Sequence, residues 1–160
     1  LAILNQQKAQ PEFEQMATTV VVMLIKNNQM VYGHLGDSRG YQYVDKLLRQ
    51  LTEDHTYLQD MLTAGKINQH EFELLTMHNI ISKSLGLSAE PDIKISHLCL
   101  QKNAMYLLCS DGLTNCISDA QIQHILETGL PVEACVDELI TSANDNGGVD
   151  NITAILVICH

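Results

Sequence analysis

Three aspartates stand near the ends of apolar segments, each beside glycine or another small residue. Asp37 comes shortly after the run QMVYGHL, Asp111 directly after MYLLCS, and Asp150 shortly before ITAILVI. Carboxylate oxygens are ligands that Mg²⁺ and Mn²⁺ accept, and a cation relieves the repulsion that raises the pKa of clustered acids. Each aspartate alone is equally an ordinary turn former or helix cap. The pattern therefore indicates either a metal site or three unrelated turns.

Composition narrows the class of protein. The chain has 160 residues, of which 46% are hydrophobic, enough for one domain with a core. Its formal net charge of −10 disfavours nucleic acid as a partner. No apolar run has the length of a membrane span and no secretory signal pattern occurs, so no membrane partner is expected. Five cysteines without a C-x-x-C pair indicate reduced thiols in a cytoplasmic protein, and seven scattered histidines lack zinc-site spacing.

Short apolar runs predict a meander of strands in the first part of the chain. The expected strands are residues 18–26, 29–35, 39–44 and 47–51, and later 91–98, 105–109 and 152–158. Asn27-Asn28 and Asp45-Lys46 separate the first four as tight turns, which is typical of antiparallel hairpins. The sequence therefore predicts antiparallel sheets.

Helical periodicity lies between these strands. Helices are expected at 1–16 with an interruption at Pro11, at 55–64, at 68–77, at about 118–128 and at 131–143. Thr52 or Asp54 can cap the helix at 55–64, and Asn68 the helix that follows. Residues 144–150 are expected as a polar loop. The chain shows no repeat and no internal domain boundary, so one domain is expected.

Three stretches carry a family resemblance. They are GDSRGYQYVDKLLRQLTEDHTYL at 36–58, LLCSDGLTNCISDAQI at 107–122 and GGVDNITAILVI at 147–158, preceded by TTVVVMLI at 18–25. In order and spacing they resemble motifs of the metal-dependent protein serine/threonine phosphatases, the protein phosphatase 2C family, in its bacterial form. The resemblance implies an α+β fold, with two antiparallel β-sheets packed as a sandwich flanked by helices in α-β-β-α order and with N-terminal strands missing.

The resemblance also assigns roles to residues. It implies that Asp111 and Asp150 ligate a metal of a binuclear centre, and that Asp37 together with Asp111 holds a third metal. The residues that match the motifs in supporting positions are Gly36, Ser38, Arg39, Gly112 and Asn151. For Ser38, Arg39 and Asn151 the expected role is local, as hydrogen bonds and ion pairs that fix the turns, whereas Gly112 is expected to leave room for metal and water beside Asp111. Thr52, Asp54 and His55 match the beginning of a flap at about residues 54–86, where His55 is expected to be structural.

The implied reaction is hydrolysis of phosphoserine and phosphothreonine in proteins by metal-activated water. The cofactor would be Mg²⁺ or Mn²⁺, with about two to three ions in the complete domain, where paired cations lower the pKa of a bridging water. The implied partners are a phosphoprotein substrate and a cognate serine/threonine kinase in the bacterial cytoplasm.

The start of the chain departs from the family pattern. The D-G-x-G-G-H stretch, which supplies a bridging acid and a histidine, is absent, as is the phosphate-binding arginine, and the chain begins at Leu1. We therefore expect residues 1–160 to be one phosphatase domain that is incomplete at its N-terminus, inactive alone and prone to self-association through open sheet edges. The alternative is a non-catalytic pseudophosphatase or interaction module that keeps the fold without a complete metal centre.

Overall fold

Two hairpins form where the sequence places tight turns between apolar runs. In the computed structural model, which describes residues 2–76 and 80–159, β1 (Val20–Lys26) and β2 (Gln29–Leu35) are joined by Asn27-Asn28. β3 (Arg39–Val44) and β4 (Leu47–Gln50) are joined in the same way by Asp45-Lys46. All four turn residues have φ between 49° and 64°, the left-handed geometry that two-residue hairpin loops need. Both predicted hairpins are confirmed.

The remaining elements follow in chain order. The further strands are β5 (Lys94–Cys99), β6 (Met105–Cys109) and β7 (Ala154–Ile158), and the helices are α1 (Ala2–Ala9), α2 (Tyr57–Thr63), α3 (Gln69–Leu74), α4 (Asp111–Thr114), α5 (Asp119–Glu127) and α6 (Val132–Asp145). A 3₁₀ turn at Pro11–Phe13 follows α1, because proline suits the first turn of a helix and not its interior. Within the described part of the chain, every helix is too short or too polar to cross a bilayer.

The cap of α2 differs from the prediction. Thr56 caps this helix, since its hydroxyl accepts a hydrogen bond from Gln59 N at 3.3 Å. Thr52 is buried instead and accepts a hydrogen bond from Gly40 N at 3.1 Å. Asp54 is engaged in an ion pair described below. The two predicted caps were wrong because contacts with other elements engage both side chains.

Other boundaries differ by a few residues. The helix predicted at 68–77 is α3, which Asn68 caps as predicted and which ends at Leu74. Residues 77–79, of which the first ends that predicted helix and all belong to the predicted flap, lie outside the described residues. β5 begins at Lys94, paired with His34, rather than at 91, because Ile93 N donates to Pro91 O at 3.0 Å instead of joining the sheet. α6 continues through Asp145, into the segment predicted as a loop.

The strands form two antiparallel sheets that pack face to face. One has the order β1-β2-β5 and the other the order β4-β3-β6-β7. Met30 of β2 and Tyr106 of β6 are buried together between the sheets. A larger apolar cluster lies between the four-stranded sheet and the helices α5 and α6, where Ile122, Leu126 and Leu139 are buried. The predicted α+β fold with two antiparallel sheets and flanking helices is confirmed.

The outer face of the three-stranded sheet is exposed. The strand register aligns Val22 with Gly33 and Gly33 with Ile95, and Leu24 lies on the same face one row further along. Val22, Leu24 and Ile95 are 55%, 63% and 57% exposed. These three side chains form what we term the exposed apolar face. On the other sheet, α5 and α6 cover the corresponding side.

Candidate functional site

The turn that carries Asp37 connects the two sheets, after β2 and before β3. Gly36 has φ +110°, and the side chain of Thr19 occupies the space that a Cβ would need. Only glycine satisfies both conditions. The hydroxyls of Ser38 and Thr19 share a hydrogen bond at 2.9 Å. The turn is thus fixed on both sides of Asp37, which is itself buried.

Asp37 shares a cavity with Asp111. Both side chains line a cavity of about 620 Å³ that also borders α2 and α3. Burial, and after it the negative charge of Asp111, raises the pKa of the Asp37 carboxyl. The two carboxylates that the sequence singled out are therefore close enough to repel one another.

Arg39 is bound by Asp54 at the edge of this cavity. Its Nε lies 3.0 Å from both carboxylate oxygens of Asp54, and its Nη2 lies 2.7 Å from Oδ2. Nη1 donates to Tyr41 Oη at 3.1 Å, and Tyr41 Oη donates to Asp119 Oδ1 at 3.0 Å. Burial is the largest single influence on Arg39 and would lower its pKa, but the hydrogen bonds and charges of Asp54 and Tyr41 together outweigh burial and raise the pKa. This network joins β3 to α5 and to the segment before α2.

Asp111 begins α4, and one residue, Ser110, separates it from the end of β6. Ser110 Oγ donates to Asn151 O at 3.1 Å and accepts from Thr153 N at 3.0 Å. A Cβ on Gly112 would collide with the carbonyl oxygen of Asn151, which explains the glycine at this position. The Asp111 turn is therefore held firmly against the segment that precedes β7.

Asp150 lies in that neighbouring segment and not in the shared cavity. It is exposed, and its Oδ1 accepts a hydrogen bond from Asn151 N at 2.6 Å. Within residues 2–76 and 80–159, no group of three or more His, Cys, Asp or Glu is arranged to hold a metal ion. The structure thus brings Asp37 and Asp111 together and places Asp150 beside the Asp111 turn, near Gly112.

The cavity has further walls that sequence reasoning missed. Asn115 of the α4 C-terminus lines it and donates from Nδ2 to Asp111 Oδ2 at 3.2 Å. Gln59 of α2 and Phe72 of α3 line it as well. The spacing of four residues between Asp111 and Asn115 is a helical signal, but Gly112 has low helix propensity and obscures it.

The cavity is acidic overall. Four of its described lining residues are acids, Asp37, Glu53, Asp54 and Asp111, whereas the one base is Arg39. Such a site repels anions unless a cation neutralises it. The carboxylate donors are of the kind that Mg²⁺ and Mn²⁺ prefer, so the residues fit such a cation in chemistry. Two converging carboxylates are fewer ligands than a complete protein site offers.

Comparison with known proteins identifies the family. Residues 2–157 match the family described as Protein phosphatase 2C. The chain belongs to the protein phosphatase 2C family. Serine/threonine phosphatase stp of Listeria innocua is 37% identical over 142 residues, and Protein phosphatase PhpP of Streptococcus pneumoniae is 38% identical over 142 residues. These matches cover 89% of this chain but only 56% and 58% of the relatives, so the chain spans little more than half their length.

Solved structures of the protein phosphatase 2C family share the fold. The Mycobacterium tuberculosis phosphatase PstP/Ppp superposes with a TM-score of 0.90 at 33% identity, over 99% of this chain and 67% of that one. The catalytic domain of PstP in complex with two manganese ions gives a TM-score of 0.84 at 33% identity, over 99% and 66% of the two chains. The family resemblance drawn from the sequence is therefore confirmed.

Proposed function

We propose that this chain forms part of the active site of a metal-dependent phosphatase that hydrolyses phosphoserine and phosphothreonine in proteins. The observation that supports this most strongly is that Asp37 and Asp111, from separate turns, line one acidic cavity. The relatives named as phosphatases in Listeria innocua and Streptococcus pneumoniae support the same activity.

The charge of the cavity supports a role for a metal cofactor. A phosphoryl group carries negative charge and would be repelled by Asp37 and Asp111 in the absence of a cation. Arg39 offers little compensation because Asp54 already binds its guanidinium. Mg²⁺ or Mn²⁺, when bound, supplies positive charge and lowers the pKa of a coordinated water. The PstP structure with manganese supports this choice of cofactor.

The chain's own residues would bind the cation and hold the turns that carry its ligands. Asp37, Asp111 and Asp150 would provide carboxylate ligands. Gly36 and Ser38 would fix the Asp37 turn, through the close approach of Thr19 and the hydroxyl hydrogen bond. On the other side, Gly112 and Asn151 would keep the Asp111 turn against the segment before β7. In this proposal Arg39 positions Asp54 and does not contact the phosphate.

The proposed substrate is a phosphorylated protein segment that lies along the cavity, between the sheet ends and the flap. Gln59 and Phe72 of the flap helices line this cavity and would contact the segment on either side of the phosphate. A cognate serine/threonine kinase in a bacterial cytoplasm would produce such a substrate, and the activity would belong to phosphorylation signalling.

Full activity should also need the part of the domain that has no counterpart here. The M. tuberculosis PstP/Ppp structure aligns with 99% of this chain but with only 67% of its own length. We propose that the 160 residues alone hydrolyse substrate near background and associate with themselves through exposed apolar surface and unpaired strand edges.

Metal binding tests the carboxylate assignment. In calorimetric titrations with Mn²⁺, Asp37→Asn and Asp111→Asn should each weaken binding at least about tenfold, since each removes a charged ligand. Asp137→Asn is the matched control, because Asp137 is exposed on α6 and outside the cavity. Equal affinity in Asp111→Asn and Asp137→Asn would contradict the assignment.

Complementation tests the activity. The portion of the Listeria innocua phosphatase that lies outside the matched region would be fused to this chain. The fusion should hydrolyse a phosphothreonine peptide in the presence of Mg²⁺ or Mn²⁺, and the Asp111→Asn fusion should not. A fusion that binds metal but stays inactive would favour the pseudophosphatase alternative.

A further inference from the structure

His55 links the Asp37 turn to the flap. Its backbone N donates to Gly36 O at 3.0 Å, and in return Gly36 N donates to His55 Nδ1 at 3.2 Å. His55 O accepts from Ser82 N at 2.9 Å, and the next residue, Thr56, caps α2. Gly36 therefore contacts both the backbone and the side chain of His55. His55 also lies at the beginning of the flap and is hydrogen-bonded to Ser82 near its end.

A second histidine holds the ring of His55. The imidazoles of His34 and His55 are stacked, with their centroids 4.6 Å apart and their planes 6° from parallel. His34 is buried near the end of β2, and its Nε2 lies 2.6 Å from Glu53 O. Because a carbonyl oxygen can only accept, His34 Nε2 carries a proton and donates. His34 thus fixes both the ring of His55 and the backbone two residues before it.

The hydrogen bond from Gly36 defines the protonation state of His55. Its Nδ1 accepts from Gly36 N, so Nδ1 carries no proton and the neutral ring is protonated at Nε2. A second proton would bind at Nδ1 and face the N–H of Gly36, donor against donor. It would also place a cationic ring parallel to His34. Both effects would break the contact between His55 and Gly36.

The surrounding charges favour the neutral ring. Burial is the first cause that lowers the pKa of His55, followed by His34 and by Lys83 near the end of the flap. Asp60 of α2 and Glu53 act in the opposite direction and do not reverse the shift. The other charged groups that line the cavities beside His55 are Asp54, Asp92 and Lys94 of β5. Of these, Asp54 is bound to Arg39, and Asp92 to Lys83 at 3.2 Å.

We propose that His55, stacked on His34, is a positioning residue that holds the Asp37 turn only while its imidazole is neutral, so that acidification releases the turn. The consequence for catalysis rests on the proposed function, because release of the turn displaces Asp37 from Asp111. The release itself is a property of the turn and can be measured without activity.

An NMR titration of the chain tests the proposal. The Gly36 amide shift should move with the same midpoint as the His55 ring. Protection of this amide against exchange, corrected for the intrinsic rate, should fall about tenfold below that midpoint, since one hydrogen bond is lost. His55→Asn keeps an acceptor oxygen near the position of Nδ1 and does not titrate, so Gly36 should become insensitive to pH. His124→Asn, which alters an exposed histidine of α5, should titrate like the unmodified chain.

Two results would overturn the proposal. One is a Gly36 amide that does not titrate with His55 in the unmodified chain, and the other is the same titration in His55→Asn. If His55→Asn fails to fold, His34→Gln takes its place, because it removes the stacked ring and keeps a donor near Nε2. Gly36 should then lose protection even at neutral pH, and unchanged protection would contradict the proposal.

Activity adds a separate readout. In the fusion described above, kcat/KM should fall on the acidic side more steeply for the unmodified chain than for His55→Asn. Inactivity of every variant would count against the proposed function, whereas the Gly36 titration would still decide whether His55 holds the turn.

Discussion

The two halves of the sandwich are stabilised by different interactions. The four-stranded sheet packs against α5 and α6 over an extensive buried cluster that includes Tyr41, Leu107 and Leu139. The three-stranded sheet contributes Met30 to a much smaller buried cluster and leaves its outer face exposed. Apolar burial therefore dominates in the first half.

The difference extends to the candidate site, which lies where the halves meet. Asp111 follows β6, a central strand of the well-packed sheet. Asp37 lies in a turn that polar contacts hold, namely the Thr19–Ser38 hydrogen bond and the His55–Gly36 pair of hydrogen bonds. Polar contacts depend on protonation and geometry more than apolar packing does. We infer that Asp111 is the rigid member of the pair and Asp37 the adjustable one.

A core substitution gives the largest expected contrast between the halves. Leu139→Ala in α6 should lower the free energy of unfolding by about 2–5 kcal/mol, because Leu139 is fully buried and a cavity would remain. Leu24→Ala, the same change on the exposed apolar face, should cost less than about 1 kcal/mol. Urea denaturation followed by circular dichroism measures both values. Similar losses for the two variants would contradict the contrast.

Breaking the ion pair at the edge of the cavity gives the next largest expected loss in the free energy of unfolding. Replacing Asp54 by Asn should cost about 1–3 kcal/mol, since Arg39 and Asp54 are only 27% and 17% exposed and Arg39 would lose its closest charged partner. The matched control is Asp92→Asn. It breaks the ion pair between Asp92 and Lys83, which is more exposed than the Arg39–Asp54 pair, and should cost less than about 0.5 kcal/mol. Denaturation of Asp54→Asn, of Arg39→Gln and of the double variant measures the coupling between the two residues, and Asp92→Asn is measured beside them. A double variant whose loss equals the sum of the single losses would show that the pair contributes nothing.

Much of the secondary structure was predictable from local sequence signals. Asn27-Asn28 and Asp45-Lys46 specify hairpin turns without help from distant residues, and Asn68 caps its helix through contacts with Glu71 only. The cap of α2 was not predictable, because both predicted caps are engaged by distant residues, Thr52 by Gly40 and Asp54 by Arg39. A local pattern is reliable where it contains all the contacts that decide the structure.

The candidate site, too, was predictable only where local sequence decides the structure. The proximity of Asp37 and Asp111 is consistent with the strand-end pattern, but the position of Asp150 depends on a loop whose Gly147 and Gly148 both have positive φ. No periodicity in the sequence encodes such a loop. The stacking of His34 on His55 was equally hidden, because the two residues are far apart in the chain and meet only through the fold.

The pH dependence of stability tests the polar contacts that hold the Asp37 turn. Because the pKa of His55 is lowered in the folded chain, chiefly by burial, the unfolded chain binds this proton more readily. This contribution to stability is fully present above the ordinary histidine pKa and is lost as the pH falls through the lowered value. Urea denaturation at several pH values should therefore show a decline on acidification that is shallower in His55→Asn. An identical dependence of stability on pH in both proteins would show that His55 does not cause the decline.

The smallest expected change in stability concerns the exposed apolar face. Leu24→Lys should change the free energy of unfolding by less than about 0.5 kcal/mol, because the side chain is 63% exposed. A lysine on this face would nevertheless repel a second copy and interrupt a contiguous apolar surface. Analytical ultracentrifugation should therefore show weaker self-association than in the unmodified chain. His124→Lys, a new charge on the exposed side of α5, should leave the association unchanged. If Leu24→Lys instead destabilised the chain as much as Leu139→Ala, this face would be part of a buried core and the contrast between the halves would fail.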